Sequence, residues 1–356
     1  MKTIIYTLSE NRDHNKAGYL QAAEILKQGG LVAFPTETVY GLGGNGLNPD
    51  ASMKIYEAKG RPSDNPLILH IADREQLVPL VKEIPEMAEK LMERFWPGPM
   101  TLIFEKSDLV PHRTTGGLDT VAIRMPSHPV ARALIRAANV PVAAPSANRS
   151  GRPSCTTAEH CIEDLDGRVD MILDGGSVEI GIESTIIDCT GDVPMILRPG
   201  FISREDVEEL LGVCEIDPAI LKKPDADFRP KAPGMKYRHY APKASLTIVE
   251  GGTEAAIAEI LRLVEEGRAQ GLQVGILCTE ESLAFFEEKE LPHIRCIGLR
   301  ASEESIAHNL FRCLREFDEE EVDTIYSESY GDGPLGAAIM NRLVKAAGYH
   351  IIHADE

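Results

Sequence analysis

The sequence predicts a two-domain α/β protein with a charged linker between the domains. Three observations carry this. The chain has 356 residues, about two domains at roughly 150 residues each. Short apolar runs alternate with amphipathic stretches on both sides of its middle. Between them, residues 213–243 hold five prolines, many charges and little periodicity. The domains are therefore expected at 1–212 and 244–356, with 213–243 as a linker.

In order, residues 17–28 read as an amphipathic helix stopped by Gly29-Gly30. Leu31-Val32-Ala33-Phe34 is a buried strand ending at Pro35. Helices follow near 50–58 and 85–95, and strands at 67–71, 100–105 and 119–125. A helix near 128–138 leads to a short strand at 141–144, then strands near 169–173, 184–189 and 195–198. Ser203, with Glu205 and Asp206 behind it, caps a closing helix over 203–211. From 244 the pattern restarts: strands at 245–250, 273–278, 294–298, 322–327 and 349–353, with helices between. That βαβ rhythm implies a Rossmann-like, mostly parallel sheet covered by helices.

Composition removes several functions. No apolar run reaches the roughly 18 residues of a membrane span, and no signal peptide is visible, so a cytoplasmic protein without membrane contact is expected. Seven cysteines without a C-x-x-C pair fit reduced thiols. The net charge of −19 argues against a surface that binds nucleic acid broadly. The charge is unevenly spread: residues 211–243 are net +3 and residues 244–356 net −13. Residues 109–152 hold six arginines and one acid, Asp119, an island suited to phosphate or carboxylate oxygens. Arg132 and Arg136 read as solvated i,i+4 neighbours on one helix. Arg124 differs: strand alternation sets Thr120, Ala122 and Arg124 on one face, away from Val121 and Ile123, and that face is a candidate ligand surface.

Familiar phosphate loops are missing. No Gly-Lys dipeptide exists for a P-loop. Gly41/Gly43/Gly46 and Gly331/Gly333/Gly336 both match G-x-G-x-x-G, but neither has the remainder of a dinucleotide site.

Four polar segments instead sit at strand ends: Pro35-Thr36-Glu37-Thr38-Val39-Tyr40-Gly41-Leu42-Gly43, Lys59-Gly60-Arg61-Pro62-Ser63-Asp64-Asn65-Pro66, Ala143-Ala144-Pro145-Ser146-Ala147-Asn148-Arg149-Ser150-Gly151-Arg152-Pro153-Ser154, and Glu183-Ser184-Thr185 with Leu197-Arg198-Pro199-Gly200. They offer cations, short hydroxyls and close-approach backbone, with no nucleophile–base pair. Such a set positions reactants and stabilises phosphate charge.

With Phe95-Trp96-Pro97-Gly98-Pro99-Met100-Thr101-Leu102, these ordered segments resemble the YrdC-type threonylcarbamoyl-AMP synthase family. The Lys236-Tyr237-Arg238-His239-Tyr240-Ala241-Pro242 linker and the domain after it resemble its two-domain Sua branch. The resemblance implies a twisted, open, mixed sheet for the first domain. It also implies synthesis of L-threonylcarbamoyladenylate from L-threonine, bicarbonate or carbon dioxide, and ATP with magnesium, releasing pyrophosphate. The product would pass to the machinery that modifies adenosine next to the tRNA anticodon, with tRNA itself bound only indirectly or weakly. Carried over by position, Thr38, His70, Arg124, Ala144 and Ser184 would surround threonine. Arg61, Asn65, Thr120, Ser146, Ser154, Arg198 and Tyr237 would surround ATP. Lys59 and Arg61 would balance phosphate charge during catalysis, and no metal would be ligated by protein side chains. Cys155 stands where the family has proline, and Gly44-Asn45-Gly46 is richer in glycine than usual, which implies looser loops at both places.

Overall fold

A computed structural model describes residues 2–9, 15–220, 230–235, 239–289, 291–331 and 333–354. The chain forms two compact units, residues 1–150 with 154–236 and residues 151–153 with 237–356.

The first unit is built on eleven strands: β1 (Ile4–Thr7), β2 (Val32–Phe34), β3 (Gly41–Asn45), β4 (Ile68–His70), β5 (Met100–Glu105), β6 (Thr120–Arg124), β7 (Val142–Ala143), β8 (Met171–Asp174), β9 (Thr185–Asp188), β10 (Met195–Arg198) and β11 (Glu215–Ile216). They form one mixed sheet in the order β1-β8-β2-β3-β7-β4-β6-β5-β9-β10-β11. Both faces are covered. Leu31 and Ala33 feed one apolar core, while Val32 and Phe34 feed another beneath the helices Lys16–Lys27 and Pro129–Ala138. A strand buried on both sides reads as a continuous apolar run, which is how β2 appears in the sequence.

β1, β3 and the short β11 are the strands that the sequence reading lacks. The glycines of β3 are required by packing, not by loop mobility. A Cβ on Gly43 would lie 2.8 Å from Phe34 and Val142 atoms, and one on Gly46 2.3 Å from Leu69. The expectation of a loosened loop at 44–46 is thus corrected to a buried strand and its turn. The stretch expected as linker also contributes: β11 pairs with β10, and Ala232 and Met235 are buried against Ile68, Ile103, Ala122, Ile186 and Leu197. Ala122 lies on the strand face read as a ligand surface. Arg136 forks onto the exposed Asp73, in keeping with a solvated helix face.

The second unit holds five strands: β12 (Ser245–Glu250), β13 (Val274–Cys278), β14 (His293–Cys296), β15 (Thr324–Glu328) and β16 (Ile351–His353). They are wholly parallel, in the order β14-β13-β15-β12-β16. After β15, the Gly331/Gly333/Gly336 turn leads into the helix Gly336–Ala346. Glu303 meets the turn: the Gly333 and Leu335 amides each donate to the Glu303 carboxylate at 2.8 Å. This motif match is a strand-to-helix turn satisfied from within.

All seven cysteines are unbridged, and among the described residues no helix is long and apolar enough to cross a membrane.

One local element positions the site directly. Asn48 caps the helix Pro49–Lys59, its side chain accepting from the Asp50 and Ala51 amides, with Pro49 at the first helical position. Gly60 ends the helix at φ 65°, a left-handed turn that favours glycine and directs Arg61 back toward the sheet. Asn48→Ala should therefore cost about 1 kcal/mol of stability. A urea titration checks this: the midpoint should fall with an unchanged slope.

Candidate active site

Register builds the site. Parallel pairing sets His70 of β4 opposite Arg124 of β6, and antiparallel pairing sets Arg124 opposite Thr101 of β5. Cross-strand partners share a face, so the three side chains form a polar row across an otherwise apolar sheet. The row continues into Ser184, whose hydroxyl lies 2.8 Å from that of Thr101. All four residues are buried.

Arg124 is the centre of this row. Its Nη1 donates to Thr38 Oγ1 at 2.8 Å, its Nε points to the Gly98 carbonyl at 3.4 Å, and its Nη2 lies 2.7 Å from Glu37 Oε1. Thr38 is itself fixed by Thr36, hydroxyl to hydroxyl at 2.8 Å. Burial pushes the Glu37 carboxyl up, but the Arg124 charge and hydrogen bond, with nearby backbone amides, outweigh it and hold the group below its ordinary value. His70 is driven to about 3 by burial and then by the Arg124 charge, so its imidazole is neutral at physiological pH. Its Nδ1 lies 3.2 Å from the Ile68 carbonyl. Ala144 joins the same region, its amide donating to Ile68.

The second group adjoins the first. Arg61 donates to the Asn65 and Pro66 carbonyls at 3.3 and 3.1 Å, and Asn65 Oδ1 is buried without a hydrogen-bond donor. Arg198 grips the Ser184 carbonyl with Nε and Nη2, at 3.1 and 2.9 Å, and reaches its hydroxyl at 3.2 Å. Ser154 donates to Glu183 at 2.5 Å, and Ser146 to Asn148 Oδ1 at 2.5 Å. Lys59 is buried, and its Nζ donates to the Ser146 and Asn148 carbonyls. Thr120 stands half-exposed at the far end of β6. Four residue steps of extended chain separate it from Arg124, about 13 Å along the same face. Tyr237 lies outside the described residues.

Three comparisons with known proteins bear on what this arrangement is. The family described as "Telomere recombination" matches residues 24–200, and that described as "Threonylcarbamoyl-AMP synthase, C-terminal domain" matches residues 202–348. A threonylcarbamoyl-AMP synthase of Bacillus subtilis is 52% identical over 333 residues, 93% of each chain. The chain belongs to the threonylcarbamoyl-AMP synthase family. A synthase of Pyrococcus abyssi is 50% identical over 331 residues, covering 93% of this chain and 94% of that protein. The crystal structure of P. abyssi Sua5 complexed with L-threonine superposes with a TM-score of 0.92 at 46% identity, covering all of both chains. The expected fold, a mixed sheet followed by a parallel Rossmann-like one, is the fold observed.

Several residues that hold this site were not singled out from the sequence. Thr101 and Glu183 each bond a candidate ligand-contacting serine, and Glu37 meets Arg124. Glu37 did carry a signal: a lone acid in the segment Phe34–Leu42, otherwise free of charge, needs a buried cation as partner.

The Lys59 geometry gives a pH prediction. Burial, with the Arg61 charge adding to it, lowers the Lys59 ammonium from 10.5 to about 7. The unfolded chain holds this proton up to about pH 10.5 and the folded chain loses it near 7, so the unfolded state binds more protons in between. Stability gained from Lys59 therefore rises with pH across that window, by at most about 1.4 kcal/mol per pH unit. Lys59→Met should lack this slope. Urea titrations of both proteins at pH 7 and 9 check it, and parallel pH responses would refute it.

Proposed function

We propose that the first unit synthesises L-threonylcarbamoyladenylate from L-threonine, bicarbonate or carbon dioxide, and ATP. The observation that carries this reading is the row His70–Arg124–Thr101–Ser184 beside the buried cations Lys59, Arg61 and Arg198. An amino-acid grip lies next to a phosphate grip on one sheet face.

Arg124 receives the amino-acid carboxylate. Thr38, His70, Ala144 and Ser184 surround the remainder, and hydroxyl groups at Thr38 and Ser184 suit a substrate hydroxyl. The threonine nitrogen combines with bicarbonate, losing water, to give a carbamate. A carbamate oxygen then attacks the α-phosphorus of ATP, and the bond to the β-phosphate oxygen breaks to release pyrophosphate. ATP enters as its magnesium complex. Arg61, Arg198 and Lys59 supply positive charge where the leaving group develops negative charge, with Asn65, Thr120, Ser146, Ser154 and Tyr237 holding the nucleotide. Hydrogen bonds to charged groups contribute about 1.5–3 kcal/mol each, so a few such contacts give micromolar-scale binding. The product would pass to a tRNA-modifying transferase in the cytoplasm.

The linker acts as a lid in this reading. Ala232 and Met235 bury against Ile68, Ala122 and Ile186, on the same face as Arg124. A closed lid excludes water from a hydrolysable adenylate.

Pyrophosphate should form only when ATP, magnesium, bicarbonate and L-threonine are all present. Incubation with each amino acid, a pyrophosphate assay and product mass measurement test this; orthophosphate release instead would overturn it. Serine keeps the hydroxyl and lacks one methyl, so it should be poorer by roughly 10–200-fold in kcat/KM. A chain ending near Leu211 should fold yet make adenylate poorly, and full activity there would eliminate the lid.

A further inference from the structure

Glu37 has no part in the reaction as written above, although no other acid lies in the turn joining β2 to β3. It is 3% exposed, between Thr36 and Thr38, which are equally buried. Its carboxylate reaches Arg124 at 2.7 Å.

The donor inventory of Arg124 gives this contact its meaning. A guanidinium has five N–H groups. Gly98, Thr38 and Glu37 each engage a different nitrogen: Nε, Nη1 and Nη2. The Glu37 contact is an ion pair and Nη2 makes no hydrogen bond among the described residues, so N–H groups remain on both terminal nitrogens, suited to the two oxygens of a carboxylate. The same three contacts hold the guanidinium from two separate segments of backbone, the β2–β3 turn and the chain before β5.

Charge makes a second demand. A lone guanidinium buried in the sheet would be costly, and it would take up whatever small anion the solution offered. Bicarbonate is such an anion, and in this reaction it is a reactant needed elsewhere in the site. Paired with Glu37, Arg124 forms a neutral couple, and the amino acid that must bind is a zwitterion of zero net charge.

We propose that Glu37 is a positioning residue of the amino-acid site. By pairing with Arg124 it fixes the guanidinium and keeps the empty site neutral, so that the remaining N–H groups select the carboxylate of a zwitterion over free inorganic anions. The proposal rests on the reading of Arg124 as the carboxylate grip.

The test compares the full-length wild type with Glu37→Gln, Glu37→Asp and Arg124→Ala. Threonine and ATP KM values are measured with chloride exchanged for gluconate at constant ionic strength. In Glu37→Gln the threonine KM should rise about tenfold or more, as when one partner of a buried charge pair is lost. Its ATP KM should stay within about twofold, and chloride should become a competitive inhibitor against threonine, which it is not in the wild type. In Glu37→Asp the threonine KM should rise severalfold without chloride inhibition, because the charge remains but is withdrawn.

A threonine KM in Glu37→Gln within twofold of wild type overturns the proposal. So does a raised KM without chloride competition, which a merely structural loss would produce. If Glu37→Gln does not fold, Glu37→Asp decides, and a wild-type threonine KM there overturns it. Calorimetry on Arg124→Ala separates the two levels. If it binds threonine normally, the reading and the proposal fall together. If it binds weakly while Glu37→Gln behaves as wild type, only the proposal falls.

Discussion

The first unit is organised around an arginine buried in the middle of a sheet. Arg124 is the last residue of β6, with strands on both sides, so its charge cannot reach water by a change of rotamer alone. Backbone must come to it. The β2–β3 turn brings Glu37 and Thr38, the segment before β5 brings the Gly98 carbonyl, and β4 sets a neutral histidine beside it. Each approach constrains a chain segment that the apolar core alone would leave free. The strand order, with β4, β6, β5 and β9 adjacent, lets all of these ends meet in one place.

Three further buried cations of the first unit have backbone carbonyls among their acceptors. Lys59, Arg61 and Arg198 donate to carbonyls of the loops beside them, at Ser146 and Asn148, Asn65 and Pro66, and Ser184. A carbonyl spreads the positive charge without cancelling it. This differs from the carboxylate placed against Arg124.

Much of this was legible in the sequence, for identifiable reasons. β2, β5, β6 and β8 are runs of apolar residues with charged or turn-forming boundaries, and the closing helix announces itself through Ser203 with Glu205 and Asp206 behind it. The polar segments at strand ends could be found because Pro, Gly and short hydroxyls interrupt apolar runs. β3 could not be read that way. Its sequence, Gly-Leu-Gly-Gly-Asn, has the composition of a loop, and only the closeness of Phe34, Val142, Leu31 and Ile55 makes it a strand. Glu37 was hard to assign for a different cause. The sequence gives the charge, but a partner 87 residues away appears only when the sheet is assembled.

Glu303 illustrates the opposite relation between motif and site. The glycines at 331, 333 and 336 have the spacing of a phosphate loop, and the Gly333 and Leu335 amides are taken by the protein's own Glu303. A tethered ligand competes at an effective concentration on the order of millimolar or more. Any phosphate arriving from solution would have to displace that carboxylate and then remain beside its negative charge. In the second unit the chain itself thus supplies the acceptor for amides that would otherwise face an anion from solution.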